Sequence, residues 1–126
     1  MSQKQGIRGK VLLVQGNQMP GPGNKNISAK GVEREIQFYK AATLQQAKRS
    51  EGFFIEIQTP LVATAKSTED GSFEVILPEG EYSVLTKEEK GLFANIFDGS
   101  GRINVVVVKK RKFAEITLQV NYEAVY

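Results

Sequence analysis

The chain has 126 residues, 40% of them apolar and 25% charged, with a net charge of +3, which fits one globular domain with its own core. It has no cysteine and no histidine, which excludes disulfides, zinc–thiolate sites and any Ser-His-Asp or Cys-His arrangement. Tryptophan is absent too, which weakens any carbohydrate-stacking platform.

Met1 to Arg8 is polar and lacks the apolar core of a signal peptide, and no apolar run is long enough for a membrane helix. Gly6 to Val14 (GIRGKVLLV) reads as a first strand, with Gly9 marking a bend or bulge. The next stretch, QGNQMPGPGNK, raises the question of a phosphate-binding loop. Gly16 and Gly21 have the separation of that template, but Pro22 stands where its lysine belongs. Proline offers neither a cation nor an N–H, and the residues that follow start no helix. The loop therefore reads as a turn between strands, ending near Ser28.

Val32 to Tyr39 alternates apolar and polar residues, with a slip at Arg34. Residues 41–50 (AATLQQAKRS) are the one helix-compatible stretch, but Leu44 is its only large apolar residue. A short turn or loop is expected there, and nowhere a helix longer than about three turns. Phe53, Ile55 and Ile57 alternate with Phe54, Glu56 and Gln58 in a short strand that runs into Thr59–Pro60. TPLVATAKS reads as a strand with Leu61, Ala63 and Ala65 on one face, and Asp70-Gly71 signals a hairpin. FEVIL places Phe73, Val75 and Leu77 inward, PEGE turns again, and YSVLT aligns Tyr82, Val84 and Thr86. GLFANIF, the turn DGSG and INVVVV follow, then a charged turn, Lys109 to Lys112. The last strand, FAEITLQVNY, sets Ala114, Ile116, Leu118, Val120 and Tyr122 against Glu115, Thr117, Gln119 and Asn121. Regular turn signals with almost no helix predict an antiparallel sandwich or barrel in a single domain, residues 1–126.

The first strand and its Pro/Gly loop, and above all VATAKSTEDGSFEVILPEGEYSV (Val62 to Val84), resemble carboxypeptidase-regulatory-like domains. The latter matches their strand, Asp-Gly-x-Phe turn, strand, Pro-x-Gly-x-Tyr turn and strand. GLFANIFDGSGRINVVVV and the terminal VNYEAVY resemble small envelope proteins of Gram-negative bacteria. The resemblance implies a prealbumin-like (transthyretin-like) Greek-key sandwich of about seven strands, generally non-catalytic and accompanying peptidases or transporters as an interaction module. It also implies the periplasm, the outer membrane or the cell surface, and leaves open a lipid anchor ahead of Ser2. The chain departs from the pattern at Lys109–Lys112, where a Pro-Gly-type turn is usual, and in an insertion at residues 40–58. Transthyretin-like hydroxyisourate hydrolases work with histidines and a Tyr-Arg-Gly-Ser-like ending. This chain has no histidine and ends EAVY, so that activity is rejected.

Residue chemistry agrees with a non-enzyme that needs no cofactor or metal. Asp98-Gly99-Ser100-Gly101 with Asn95 offers oxygen ligands but lacks the calcium-loop spacing. Glu69–Asp70 and Glu88–Glu89 are paired acids on turns, and read as solvated rather than as a glycosidase pair. Residues 1–63 carry nine basic and four acidic side chains (+5), and residues 64–126 carry eight and ten (−2). That mild asymmetry demands no nucleic acid. Lys109 to Lys112 could meet phosphate or lipid head groups, or protect a strand end from aggregation. The segment Gly91 to Phe97 holds Leu92, Phe93, Ile96 and Phe97, more large apolar residues than one strand face can bury. Either Phe93 and Phe97 point inward and the others face a partner, or the segment coils over the sandwich edge. These four form the candidate surface, and another envelope protein or a second copy is the expected partner. The alternative is a module that binds a carbohydrate or a small hydrophobic molecule.

Overall fold

The computed structural model describes residues 4–15, 28–94, 97 and 99–122. Its strands are β1 Gly6–Gln15, β2 Ser28–Gly31, β3 Glu35–Lys40, β4 Ala47–Ser50, β5 Phe53–Ile57, β6 Leu61–Lys66, β7 Ser72–Ile76, β8 Gly80–Glu88, β9 Gly91–Phe93, β10 Val105–Val108 and β11 Phe113–Val120. The helix-compatible stretch forms only a short 3-10 turn, Leu44–Gln46, where the Gln46 side chain accepts the Thr43 N–H at 3.0 Å. The protein is an all-β sandwich of two sheets.

The smaller sheet is built on β1. Along Gly6–Leu13 β1 pairs with β11, and the two run parallel, unlike every other described pair and unlike the antiparallel expectation. Its other edge is shared, with β7 on Gly6–Lys10 and β2 on Leu12–Gln15. Val11 sits at the junction, its N–H donating to Gly71 O at 2.8 Å and its carbonyl accepting Val32 N–H at 3.1 Å. The larger sheet runs β4-β5-β9-β8-β3-β6, and β10 lies beside the first half of β8. Two long strands, β1 and β8, thus each serve a pair of short ones. This sharing carries the described strand number to eleven against an expected seven or so.

The core between the sheets gathers Ile7, Val11, Phe73, Leu77, Leu118 and Val120 from one sheet and Ile36, Phe38, Tyr82, Val84, Phe93, Val106 and Val108 from the other. The inward sets expected in FEVIL and YSVLT hold, with Phe73 tilted against Phe38 at 6.3 Å. The Tyr82 hydroxyl donates to Pro78 O at 2.6 Å, closing the PEGE turn in the manner of a tyrosine corner.

Several expectations change. Asp70-Gly71 lies in a tight turn, but β6 pairs with β3 and β7 with β1, so the turn carries the chain between sheets and closes no hairpin. Local turn chemistry fixes a reversal, not the partner of the strand that leaves it. Val62 is an extra residue in β6, because Phe38 pairs with Ala63 and Tyr39 with Leu61; past that bulge Leu61 is exposed and no longer shares the face of Ala63 and Ala65 as expected. In β5 the extra residue is Ile55, since Lys48 pairs with Glu56 and Arg49 with Phe54. Ile55 is exposed there, while Phe53 and Phe54 are both buried on opposite faces.

Candidate interaction surfaces

An antiparallel sheet with one buried face normally turns polar residues to solvent on the other. The larger sheet does not. A second apolar cluster on its outer face holds Ala42, Phe54, Leu85 and Ile103, with Tyr39, Leu44, Ala47, Ile57, Leu92 and Ala94 packed around it. Two irregular segments cover this cluster and clasp each other. Ile103 N–H donates to Ala42 O at 2.8 Å, and Leu44 N–H to Gly101 O at 2.9 Å. Beneath them, Ser83 Oγ accepts the Ala42 N–H at 2.9 Å. The insertion at residues 40–58 therefore caps the sheet's outer face and adds β4 to its edge.

The candidate residues divide between the two faces. Phe93 belongs to the main core, and Leu92 is half-buried in the outer cluster. Phe97 bridges to Ile103 and lies over Phe54 at 6.3 Å, on the outer side, 38% exposed. Ile96 lies outside the described residues. The Arg49 guanidinium sits 5.3 Å from the Phe54 ring and 6.0 Å from Phe97, a cation–π stack at the rim. The sequence gives no local sign of Arg49 or Phe54 here, because β4, β5 and the residue 97 segment meet only through long-range pairing.

Glu88 is not the solvated acid expected. Its side chain is 1% exposed, and Arg34 Nε donates to its two carboxylate oxygens at 3.0 and 3.1 Å. The Tyr122 hydroxyl donates to the same carboxylate at 3.0 Å, and its ring packs on Phe53 and Phe93 at 4.9 and 5.3 Å. These contacts tie the exposed Tyr122, two residues past β11, to the buried Glu88 at the end of β8. By contrast, Glu69 and Asp70 are exposed. Hydrogen bonds from the Thr68 hydroxyl, and then from the Ser72 N–H and side chain, hold the Asp70 carboxyl below the usual carboxylate range. Burial raises the Tyr39 phenol, with Glu35 adding to the shift, and burial also raises Tyr82.

A shallow groove of about 640 Å³ crosses the smaller sheet, lined chiefly by Arg8, Lys10, Ser72, Glu74, Glu115 and Thr117. An Arg8–Glu115 ion pair at 2.8 Å spans it, and Arg8 stacks on Phe113 at 5.2 Å. Among the described residues no group of three or more acidic, histidine or cysteine side chains is placed to hold a metal, and no helix is long and apolar enough to cross a membrane. The glycines and Pro22 of the phosphate-loop question, and Asn95 and Asp98 of the calcium question, lie outside the described residues.

The class these features define is an all-β sandwich with an apolar outer face on its larger sheet. Compared with protein families, characterised proteins and solved structures, the chain matches none.

Proposed function

We propose that this chain is a non-catalytic interaction module of the bacterial cell envelope, a carboxypeptidase-regulatory-like Greek-key sandwich that docks on another envelope protein through the outer face of its larger sheet. Phe97, left 38% exposed beneath Arg49 at the rim of an apolar cluster, is the observation that carries the reading. Aromatic and arginine side chains at the edge of a desolvated patch are what interface anchors are made of. The location, periplasmic or cell-surface, rests on the sequence resemblance alone.

The test is Phe97→Ser, read by site-specific cross-linking from position 49 in envelope fractions. The variant should melt within a few degrees of the parent, as a change below about 1 kcal/mol does in a chain this size. The cross-linked partner should disappear. A folded variant that keeps the partner moves the contact elsewhere, and a second copy in the cross-link would make the protein a homodimer.

The groove over Arg8 and Lys10 favours a second reading, a carbohydrate-binding module. The charged and hydroxyl side chains of Arg8, Lys10, Ser72, Glu74, Glu115 and Thr117 along it could hydrogen-bond a sugar. A glycan thermal-shift screen decides it, because a true ligand raises the melting temperature with concentration. A flat response rejects this reading.

A further inference from the structure

A free sheet edge is a template for another strand, and folded proteins guard such edges with charges, prolines, bulges or short length. Every described edge but that of β10 carries a charge, proline or bulge in or beside the strand, while β10 relies on its four-residue length and on the cations past its end. β6 has Pro60 before it, a bulge at Val62 and Lys66 at its end. β4 carries Lys48, Arg49 and the bulge opposite them. β2 carries Lys30, β7 carries Glu74 and β11 carries Glu115. β10 is four consecutive valines, with no bulge, proline or charge within it.

The free side of β10 follows from its register. The Val84 N–H donates to Asn104 O at 3.3 Å, so Asn104 and Val84 form a bonded pair. Bonded and non-bonded pairs alternate in an antiparallel ladder. Val106 with Tyr82 and Val108 with Gly80 are then the next bonded pairs, and Val105 and Val107 turn their N–H and C=O groups to the open edge. No described strand pairs there. Val107 also leaves an apolar side chain 47% exposed.

The chain leaves β10 directly into Lys109, Lys110, Arg111 and Lys112. Among the described residues none of the four forms an ion pair. The turn is held in place: Lys112 N–H donates to Lys109 O at 3.2 Å, and Arg111 N–H to the Gln5 side chain at 3.1 Å. Arg111 takes a φ of 63°, a conformation that glycine or asparagine adopts with less strain. A cation stands where the backbone would favour glycine, beside the one described edge strand with no charge, proline or bulge of its own.

We propose that the open edge of β10 and the Lys109–Lys112 turn together accept an extended acidic segment of a partner protein, added as a further strand of the larger sheet. The edge supplies main-chain hydrogen bonds, Val107 an apolar contact, and the four cations the preference for acidic side chains at the end of the added strand. The proposal deepens the interaction-module reading and rests on it, but it uses a different surface from Phe97.

The probe is a synthetic peptide of alternating Val and Thr with an Asp/Glu run at one end, made in both chain orders, beside a twin whose run is Lys/Arg. Fluorescence anisotropy at low salt should show the acidic peptide bound at least about tenfold tighter than its twin, with affinity falling as salt rises. Val107→Pro removes an N–H that faces only the open edge, so the fold should survive while binding drops about tenfold or more. The pair Lys109→Glu and Lys110→Glu should abolish the preference for acid. In the parent protein, the Val105 and Val107 amides should gain hydrogen-exchange protection on binding, a readout that stands even if the proline variant misfolds.

Equal binding of the acidic peptide by parent and folded Val107→Pro, or no new protection at Val105 and Val107, overturns strand addition. Anionic vesicles or single-stranded polynucleotide competing equally in parent and proline variant would make the turn a plain polyanion site and overturn the proposal. So would a dimer by sedimentation that Val107→Pro dissolves, since the occupant would then be a second copy. Phe97→Ser should bind the peptide as the parent does. Failure of the peptide experiment therefore leaves the Phe97 surface untouched, and the reverse also holds.

Discussion

At the scale of single residues, Phe73 shows burial setting a large effect. It is 6% exposed, tilts against Phe38, and lies opposite Gly9, where β1 has no side chain of its own. Phe73→Ala should cost about 3–5 kcal/mol by denaturant unfolding, since it leaves a cavity that a glycine neighbour cannot refill. A loss under about 1 kcal/mol would mean that the core collapses around the site. Asp70 makes the opposite case, a surface group whose effect is set by pH. Its carboxyl is held below its ordinary value first by the Thr68 hydroxyl, then by Ser72. A carboxyl whose folded pKa is depressed adds stability above its unfolded pKa and loses it as pH falls through the folded one. Asp70→Asn should therefore be less stable than the parent at neutral pH, and the gap should close as the medium is acidified below about pH 4. A gap that stays constant down to strong acid would show that the hydrogen bonds, not the charge, carry the contribution.

At the scale of elements, the turn that holds Asp70 is also a packing joint. Gly71 has a φ of +89°, and a β-carbon there would stand 2.3 Å from the Val11 carbonyl oxygen. Gly52 has a similar φ of +88° with open space around it. Both glycine-to-alanine changes carry backbone strain, but only Gly71→Ala adds a collision with the strand that organises the smaller sheet. Gly71→Ala should thus lose clearly more stability than Gly52→Ala, and more than about 1 kcal/mol in total by denaturation midpoint. Equal losses would mean that β1 can shift aside. The same joint shows what the sequence makes legible. The alternation of FEVIL, YSVLT and FAEITLQV reveals which side chains face the core, because a period of two survives in any pairing. It could not reveal that β6 and β7 belong to different sheets, or that β11 runs parallel to β1, since partner choice is a long-range property. Bulges defeat alternation locally, which is why Leu61 and Ile55 are exposed. The excess of apolar residues in Gly91–Phe97 was legible. Its division between the core and an outer cluster was not, because the cover comes from residues 41–47 and 101–103.

At the scale of the whole molecule, the parallel pairing of β1 with β11 closes the sandwich on the two ends of the described chain. Gly6 pairs with Phe113, so the smaller sheet is incomplete until almost all of the sequence is in place. Such long-range closure predicts folding on the slower, millisecond-to-second scale of all-β domains. It also predicts that β11 is indispensable rather than an appendage. Removing it takes Leu118 and Val120 from the core and uncovers Ile7 and Val11 on β1. Each buried side chain of this kind is worth about 1.5–3 kcal/mol, so the sum rivals the 5–15 kcal/mol that holds a typical domain together. The loss of Tyr122 also leaves the Glu88 carboxylate with one partner fewer inside the protein. A chain ending at Lys112 should therefore show no cooperative melting transition and collapsed amide dispersion in NMR. Tyr122→Phe, which keeps the ring contacts and drops only the hydroxyl, should stay folded at a cost of about 1–3 kcal/mol. If the shortened chain still melts as one unit, the larger sheet and its outer cap hold the fold alone, and the parallel strand is an addition to a domain already complete without it.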